Sequence, residues 1–555
     1  MDNIIHVIEH NSNRLRLYVP MCFENALISY SKTMNENYKA AFIDYWNFLF
    51  FREADNAICD SGDKQEQYSE GNEELSDDLA YEQGHKKGKL SRYIGVYENC
   101  FEGMEKYCGV KIERISDFKF EELLAFIKEN LKRNKTTLLH TDTYYLPWNK
   151  TFFGKDHTTH ISQICGYDEE KDSFAIADQD FPNQVFYLNS EQLESACKYY
   201  FRFEKIENYK KKSAIELLSE FIQNSNSKFE DLKNNIIEFA EKFRTEFSPE
   251  EEFDSPFGAD EVLDSQLIIT LREIIKGRNL FMDFLDDVSA ESKTDFSDVI
   301  QGVFVSASKW NHIINVLVKY AIVGWEPDIN HKISNVIRES AEIEYSTYKL
   351  LKEKVLNSGK EEKMAKAELL QSNKYYFVPL KQYCNNKGIL CHIKEGQKEN
   401  NLSGLTNTGE VLVLSERYKN KKVSLPEVEY LLTVDDGYDN LLCEGQSIQI
   451  ESEDFYHSMG ILCCTEFGTN HEHIKIIDEE NHEEIVYFDA YDISDCTAEN
   501  TVDIGACYSA VSDKIVREKN VLTTNVLKFN CAKKIQKIVL PYCFNLHIMA
   551  ITFFR

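Results

Sequence analysis

The hydrophobic pattern of this chain changes twice along its length, and this limits what the chain can fold into. From about residue 211 to residue 374, apolar residues recur at three- and four-residue spacing, which is typical of amphipathic helices. After about Tyr375, short β-rich runs alternate with polar turns, which favours an antiparallel sandwich. Before about Tyr209, helical and strand patterns are mixed. The sequence therefore predicts an α+β fold.

The changes of pattern predict three regions, namely an α+β domain over 1–209, a helical bundle over 210–374 and a C-terminal antiparallel β-sandwich over 375–555. A chain of 555 residues has room for them, because a single domain usually holds about 100–200 residues. In the last region, a ligand-binding role and a scaffold or dimerisation role are both open.

The predicted elements are grouped by region. Those of the first region are Pro20–Ser31 and Phe120–Lys132 as helices, with Thr136–His140, His160–Tyr167, Ser173–Ala177 and Asn183–Leu188 as strands. The predicted helices of the second region are Ala214–Asn224, Phe229–Phe247, Val262–Val288, Phe296–Val323 and His331–Leu356. The predicted strands of the third region are Glu410–Leu414, Gln446–Glu451, Ile474–Ile477, Ile485–Phe488, Lys537–Leu540 and Leu546–Phe554.

Charge restricts the partners of the chain. The formal net charge is −30, which opposes binding to phosphate backbones and anionic lipid. We therefore expect neither nucleic acid nor a membrane as a partner. An acidic acyl carrier would need a local basic patch, for which Lys86–Lys89 with Arg92 and Lys210–Lys212 are candidates, although such runs are more often solvated loops.

The start of the chain lacks a basic segment followed by an apolar core, and no run of about 18 apolar residues occurs, so a cytoplasmic protein is expected. The oligomeric state, a homo-oligomer included, stays open.

Cysteine and histidine usage argues against disulfides and metals. The chain has 15 cysteines, an odd number scattered without tight spacing, which favours reduced thiols. The group His457, Cys463, Cys464, His471 and His473 lacks a Cys-x-x-Cys pair or a helical His-x-x-x-His spacing. Neither a glycine-rich phosphate loop nor a dinucleotide fingerprint is found. We predict no metal and no cofactor.

Cys22 stands where an extended segment reaches Pro20 and a helix is predicted to begin. The unpaired amides and the positive dipole end of a helix N-terminus stabilise a thiolate, and the same amides can stabilise an oxyanion. An isolated cysteine near the start of a chain is more often structural. Cys22 is therefore a candidate nucleophile only in combination with a base.

A predicted hairpin supplies that base. His160 begins one predicted strand, and Asp178 ends the next, 18 positions later, so antiparallel pairing brings the two residues together. A carboxylate there can fix the imidazole tautomer and stabilise the imidazolium. His157 is a rival base, but it precedes the strand and is expected to be less well held. The predicted catalytic residues are Cys22, His160 and Asp178.

Three segments together resemble one known family. They are Cys22–Leu27, Asp142–Pro147, and the hairpin that runs from His160 through Gly166-Tyr167-Asp168 to Asp178. Over about residues 10–205, the chain is similar to the butirosin biosynthesis protein H N-terminal family, which itself resembles papain-like cysteine peptidases.

The resemblance implies a papain-like N-terminal domain and a thioester route. Cys22 would take an acyl or peptidyl group from a carrier-protein thioester and pass it to a small amine acceptor, with His160 as base and then acid. A cysteine peptidase or amidase with the same residues, and a scaffold without catalysis, remain alternatives.

The papain pattern also includes a side-chain amide before the cysteine, for which Asn11 and Asn13 are open candidates. Asp142 is expected to be a structural cap more than a site acid.

Overall fold

The computed structural model describes the chain in segments. They are residues 22–33, 36–51, 89–96, 99–178, 181, 184–253, 262–326, 328–357, 375–390, 404–406, 409–415, 418, 421–425, 427–434, 437–466, 468–495, 500–509, 512 and 514–555. Side chains are not described at 22, 226 and 227. Both candidate amides, Asn11 and Asn13, lie outside these residues.

The chain forms two compact units. One comprises Met1–Asn330 and Ser340–Gly359, and the other His331–Glu339 and Lys360–Arg555. The division into three domains over 1–209, 210–374 and 375–555 remains a prediction.

Helices dominate the second half of the first unit. The α-helices are α1 Cys22–Thr33, α2 Cys100–Gly103, α3 Phe120–Lys132, α4 Ser190–Ala196, α5 Ala214–Asn224, α6 Asn226–Glu246, α7 Pro249–Glu252, α8 Gln266–Ser292, α9 Ser297–Val323 and α10 Ile329–Asn357. Short 3-10 turns cover Lys39–Tyr45, Ser91–Tyr93, Thr143–Tyr145 and Leu380–Gln382, and a π turn covers Met104–Cys108. Local signals set several ends: Ser213 and Glu216 form a capping box at the start of α5, and Gly324, with a φ of 98°, follows α9.

The first unit contains a six-stranded antiparallel sheet. Its strands are β3 Val110–Ile115, β4 Thr137–Asp142, β5 Thr159–Asp168, β6 Ser173–Asp178, β7 Val185–Leu188 and β8 Cys197–Lys205, in the spatial order β3-β8-β4-β5-β6-β7. A separate antiparallel pair consists of β1 Leu49–Phe50 and β2 Ile94–Gly95. One face of the six-stranded sheet packs on α3 through Leu139, Ile164 and Ile176.

A buried ion pair ties together the helices of this unit. Arg278 of α8 donates to both carboxylate oxygens of Glu344 on α10, at distances between 2.8 and 3.2 Å. The indole N–H groups of Trp46 and Trp310 donate to the same carboxylate at 2.9 and 3.1 Å, and Ser306 at 2.6 Å. Both charged side chains are fully buried.

The second unit is built from β-strands. They are β9 Tyr375–Phe377, β10 Ile389–Leu390, β11 Glu410–Leu414, β12 Lys422–Ser424, β13 Glu429–Leu431, β14 Leu441–Glu444, β15 Ser447–Gln449, β16 Tyr456–Thr465, β17 Asn470–Asp478, β18 Glu483–Ala490, β19 Thr501–Ser509, β20 Lys514–Lys533, β21 Ile535–Val539 and β22 Tyr542–Phe554. An eight-stranded sheet, β10-β11-β19-β20-β16-β22-β14 with β9 on β22, shares an apolar core with the sheet β15-β21-β17-β18. The β12–β13 hairpin covers the other face of the larger sheet.

The predicted α+β class is confirmed, with helices and sheets in the order that the periodicity indicated. The helices Phe120–Lys132 and Ala214–Asn224 have the predicted bounds. Several strands were not predicted, among them β8 and β20. The first begins directly after α4, and the second carries charged, exposed residues over much of its 20 positions, so neither has a clear apolar alternation.

Candidate functional site

The β5–β6 hairpin joins His160 to Asp178. The imidazole Nε2 of His160 lies 2.9 Å from Oδ1 of Asp178, and the two side chains are 4% and 0% exposed. In the register of the hairpin, Asp178 is the Cα partner of Ser162, two residues beyond His160. We call these two residues the buried pair. The structure thus brings together two of the three residues predicted as catalytic.

Trp148 completes the surroundings of the carboxylate. Its indole N–H donates to Oδ2 of Asp178 at 2.6 Å, and its ring stacks on Phe186 of β7 at 4.6 Å. Both carboxylate oxygens therefore have a partner, which fixes the orientation of Asp178 toward His160. Sequence reasoning missed Trp148, although it directly follows Leu146-Pro147 and is one of only four tryptophans in the chain.

Helix α1, which begins at Cys22, is anchored on the strand that carries His160. Ser29 donates to Oε1 of Gln163 at 2.8 Å, and the amide of Gln163 donates to Thr136 at 2.7 Å. Cys22 precedes Ser29 by two helical turns, about 10 Å, and His160 precedes Gln163 by three strand positions, also about 10 Å.

Aromatic contacts give the direction of α1. Phe23 packs on Phe201 of β8, and Tyr30 stacks on Phe203 further along the same strand. Because β8 and β5 are both antiparallel to β4, α1 runs in the same sense as β5. The start of α1 and His160 therefore lie at the same end of the sheet.

A second Asp–His pair lies at that end. Asp142, the last residue of β4, accepts a hydrogen bond from Nδ1 of His157 at 2.7 Å, from the amide of Tyr144 at 3.0 Å, and has the ammonium of Lys198 at 3.2 Å. Burial opposes ionisation of Asp142, but these partners outweigh it and hold the pKa of the carboxyl below its usual value. Asp142 is thus both a turn cap and a partner of His157. We call His157 and Asp142 the exposed pair, because the histidine is 60% exposed.

A third histidine is buried beside these pairs. The rings of His140 and Tyr199 stack with their centres 4.2 Å apart. The guanidinium of Arg114 lies 3.9 Å from the centre of the Tyr199 ring. Burial, with the positive charges of Arg114, His160 and Lys198, lowers the pKa of His140 to about 4. The imidazole is therefore neutral near pH 7.

Comparison with known families bears directly on this part of the chain. Residues 79–179 match the model of butirosin biosynthesis protein H, N-terminal. The matched residues include both Asp–His pairs and Trp148. Over these residues the chain is similar to that family.

This match is shorter than the similarity expected over residues 10–205, and it leaves Cys22 and α1 outside. One curated relative comes from Niallia circulans and is 22% identical over 231 residues, which cover 39% of this chain and 68% of the relative. Its name describes a transferase of 4-(gamma-L-glutamylamino)-(S)-2-hydroxybutanoate from an acyl-carrier protein to ribostamycin.

Other residues proposed from the sequence lie outside the matched residues 79–179 or have partners of their own. The thiol of Cys22 is not among the described side chains. Of the basic candidates, Lys211 pairs with Glu36, Lys212 with Glu220, and Lys89 lies within 4 Å of acidic groups on Glu246 and Glu251. These lysines are therefore partly neutralised.

The metal-capable residues of the second unit do not converge. Cys463 and Cys464 are consecutive in β16 and enter separate apolar cores on opposite faces of the sheet. His471 hydrogen-bonds Asp489. Within the described segments, no group of three His, Cys, Asp or Glu side chains could hold a metal ion. None of the described helices is long and apolar enough to cross a membrane.

Proposed function

We propose that the chain is an acyltransferase that moves an acyl or peptidyl group from a carrier-protein thioester to a small amine through a thioester on Cys22. The family match and the carrier-dependent transferase among its relatives support a carrier-protein acyltransferase of secondary-metabolite biosynthesis. The cysteine route is our own addition, and the buried pair is the observation on which it rests.

In this proposal His160 is the base and Asp178 orients it. Because Nε2 of His160 faces the carboxylate, Nδ1 is the ring nitrogen that would exchange a proton with the thiol. The full burial of Asp178 strengthens its interaction with an imidazolium, since little water screens the charges.

The position of Cys22 at the start of a 12-residue helix favours its thiolate. Side chains alternate along β5, so His160 and Gln163 lie on opposite faces of the sheet. Contact between Cys22 and His160 therefore has to occur around the end of the strand, where His160 is the second residue.

The two half-reactions balance with these groups alone. The thiolate attacks the donor thioester, the new carbon–sulfur bond forms as the carrier's breaks, and His160 gives its proton to the departing thiolate. An amine then attacks the enzyme thioester, the carbon–nitrogen bond forms, and the Cys22 thiolate leaves as His160 takes a proton from the nitrogen. With water as the acceptor, the same steps are a hydrolysis, and with an amide as the donor they describe a cysteine peptidase or amidase.

Intact-protein mass after mixing with acyl-cysteamine and acyl-carrier thioesters tests the proposal. Wild type should gain one acyl mass, Cys22→Ala none, and Asp178→Asn should acylate about 10²–10⁴-fold more slowly because the imidazole loses its charged partner. Cys531→Ala is the matched control, since it removes an exposed thiol far along the chain and should acylate like wild type.

The products then separate the alternatives. Amide formation from an added amine in preference to acid supports a transferase, and acid alone supports a hydrolase. Equal acylation of wild type and Cys22→Ala, or none of wild type, would contradict the cysteine route, and an inactive chain would leave the scaffold as the better explanation.

A further inference from the structure

The exposed pair has the geometry of a second general base. Asp142 is 4% exposed and holds Nδ1 of His157, so the Nδ1–H tautomer is favoured and Nε2 carries the lone pair. The His157 ring also stacks on Tyr144 at 4.3 Å, with an interplanar angle of 11°. An oriented, exposed imidazole with a basic nitrogen can act as a general base toward a ligand that approaches from solution.

The segment around His157 is fixed in place. The amide of Thr143 donates to the carbonyl of Thr158 at 2.9 Å, and the hydroxyls of the same two threonines are 2.6 Å apart. The turn Thr143–Tyr145 and the residues before β5 are therefore joined directly beside the exposed pair. His157 is thus a positioned group despite its exposure.

The exposed pair is also next to the buried one. In the β4–β5 register, Asp142 is the Cα partner of Thr159, and Thr141 is the Cα partner of His160. The two pairs therefore occupy neighbouring rungs at one end of the same two strands. Neighbouring rungs present their side chains to opposite faces of the sheet, so Asp142 lies on the face of Gln163, where α1 is anchored, and His160 on the other. A thioester on Cys22, at the start of α1, would therefore have a second base at the same end of the sheet.

We propose that His157, oriented by Asp142, deprotonates the amine acceptor before it attacks the enzyme thioester. This inference rests on the proposed function. An alkylamine is protonated at neutral pH, since its pKa resembles that of lysine, about 10.4, and an ammonium has no lone pair with which to attack. His157 takes this first proton and passes it to water, and His160 takes the second as the amide forms and the Cys22 thiolate leaves.

The chemistry of the acceptor gives a sharp test. Each protein is first acylated with an acyl-cysteamine thioester and freed of excess donor, and the decay of the adduct to amide is then followed with two nucleophiles. Ethanolamine is mostly protonated at pH 7 and needs a base, whereas hydroxylamine is mostly neutral and does not. His157→Gln keeps an N–H that can donate to Asp142 but has no basic nitrogen.

For His157→Gln we expect the transfer rate to ethanolamine to fall by about 10²-fold while the rate to hydroxylamine stays within about threefold of wild type. Asp142→Asn should show the same selectivity with a smaller loss. His482→Gln is the matched control, because that histidine is also exposed and lies 3.4 Å from a carboxylate, that of Asp478, in the second unit.

Equal losses with both nucleophiles, or no loss with either, would overturn the assignment of His157. A His157→Gln protein that no longer takes up the acyl group would do the same, by placing the histidine in the first step. Absence of an adduct on wild type would instead remove the proposed function, together with this inference.

Discussion

At the scale of single residues, His140 and His312 are examples, among the described residues, of histidines buried in the neutral form. Burial lowers the pKa of His140 to about 4 and that of His312, on α9, to about 3, in both cases helped by nearby positive charges. In the unfolded chain both imidazoles would titrate near the ordinary value of about 6.5. The two states therefore bind different numbers of protons in mildly acidic solution.

This difference predicts a loss of stability in acid. Between about pH 6.5 and pH 4 the unfolded chain binds protons that folded His140 does not, so the free energy of unfolding of the first unit should fall as the pH falls. The expected slope is about 1.4 kcal/mol per pH unit for each such histidine. Urea denaturation of the first unit at pH 7 and pH 5 measures it.

The variant His140→Phe, which can still stack on Tyr199, should reduce the slope by the share of one histidine. His482→Gln, at an exposed position, should leave it unchanged. Identical slopes for wild type and His140→Phe would contradict a neutral buried imidazole at this position.

At the scale of elements, Glu344 connects parts of the chain that are far apart in sequence. Its carboxylate accepts hydrogen bonds from α8, from α9 and from Trp46 after the first 3-10 turn. A buried ion pair is not stabilising by itself, but removing one partner leaves the other as an uncompensated buried charge. A substitution that removes the charge of one partner but keeps its shape should therefore lower the free energy of unfolding.

Glu344→Gln should lower the free energy of unfolding by about 3–5 kcal/mol, because Arg278 would remain buried without a counter-charge. The exposed neighbour Glu342, which pairs with Lys233 on the surface, provides the control, and Glu342→Gln should cost less than about 1 kcal/mol. Urea denaturation measures both, and similar losses for the two variants would show that burial of the pair does not decide its contribution.

At the scale of the whole molecule, negative charge is the dominant electrostatic feature. The net charge is −30, and the basic candidates Lys211 and Lys212 are paired with glutamates. An acidic carrier protein would therefore approach against a repulsive field rather than along an attractive one.

For this reason kcat/KM for an acyl-carrier donor should rise as salt is added, since the Debye length shortens to about 10 Å at 0.1 M. An uncharged acyl-cysteamine donor is the control, and its kcat/KM should change little. Steady-state rates between low salt and 0.3 M test this, and a fall with salt for the carrier donor would point to a basic docking patch.

The sequence by itself determined the features that depend on neighbouring residues. Apolar spacing predicted α3 and α5 at their observed bounds, because the buried face of a helix is set by residues three and four apart. The contact between His160 and Asp178 was equally predictable, since a short turn joins their strands and antiparallel pairing brings the start of one strand beside the end of the other. Their catalytic roles, and that of Cys22, remain predictions.

The tertiary structure decided the contacts between residues that no local pattern links. β8 lies between β3 and β4 although it is the last of the six strands of this sheet in sequence, and Trp148 reaches Asp178 from 30 positions away. His157, expected to be less well held than His160, has a buried carboxylate partner of its own, and burial is what distinguishes the two histidines. Such pairings depend on how the sheet and its turns pack as a whole, and the periodicity of the sequence does not predict that packing.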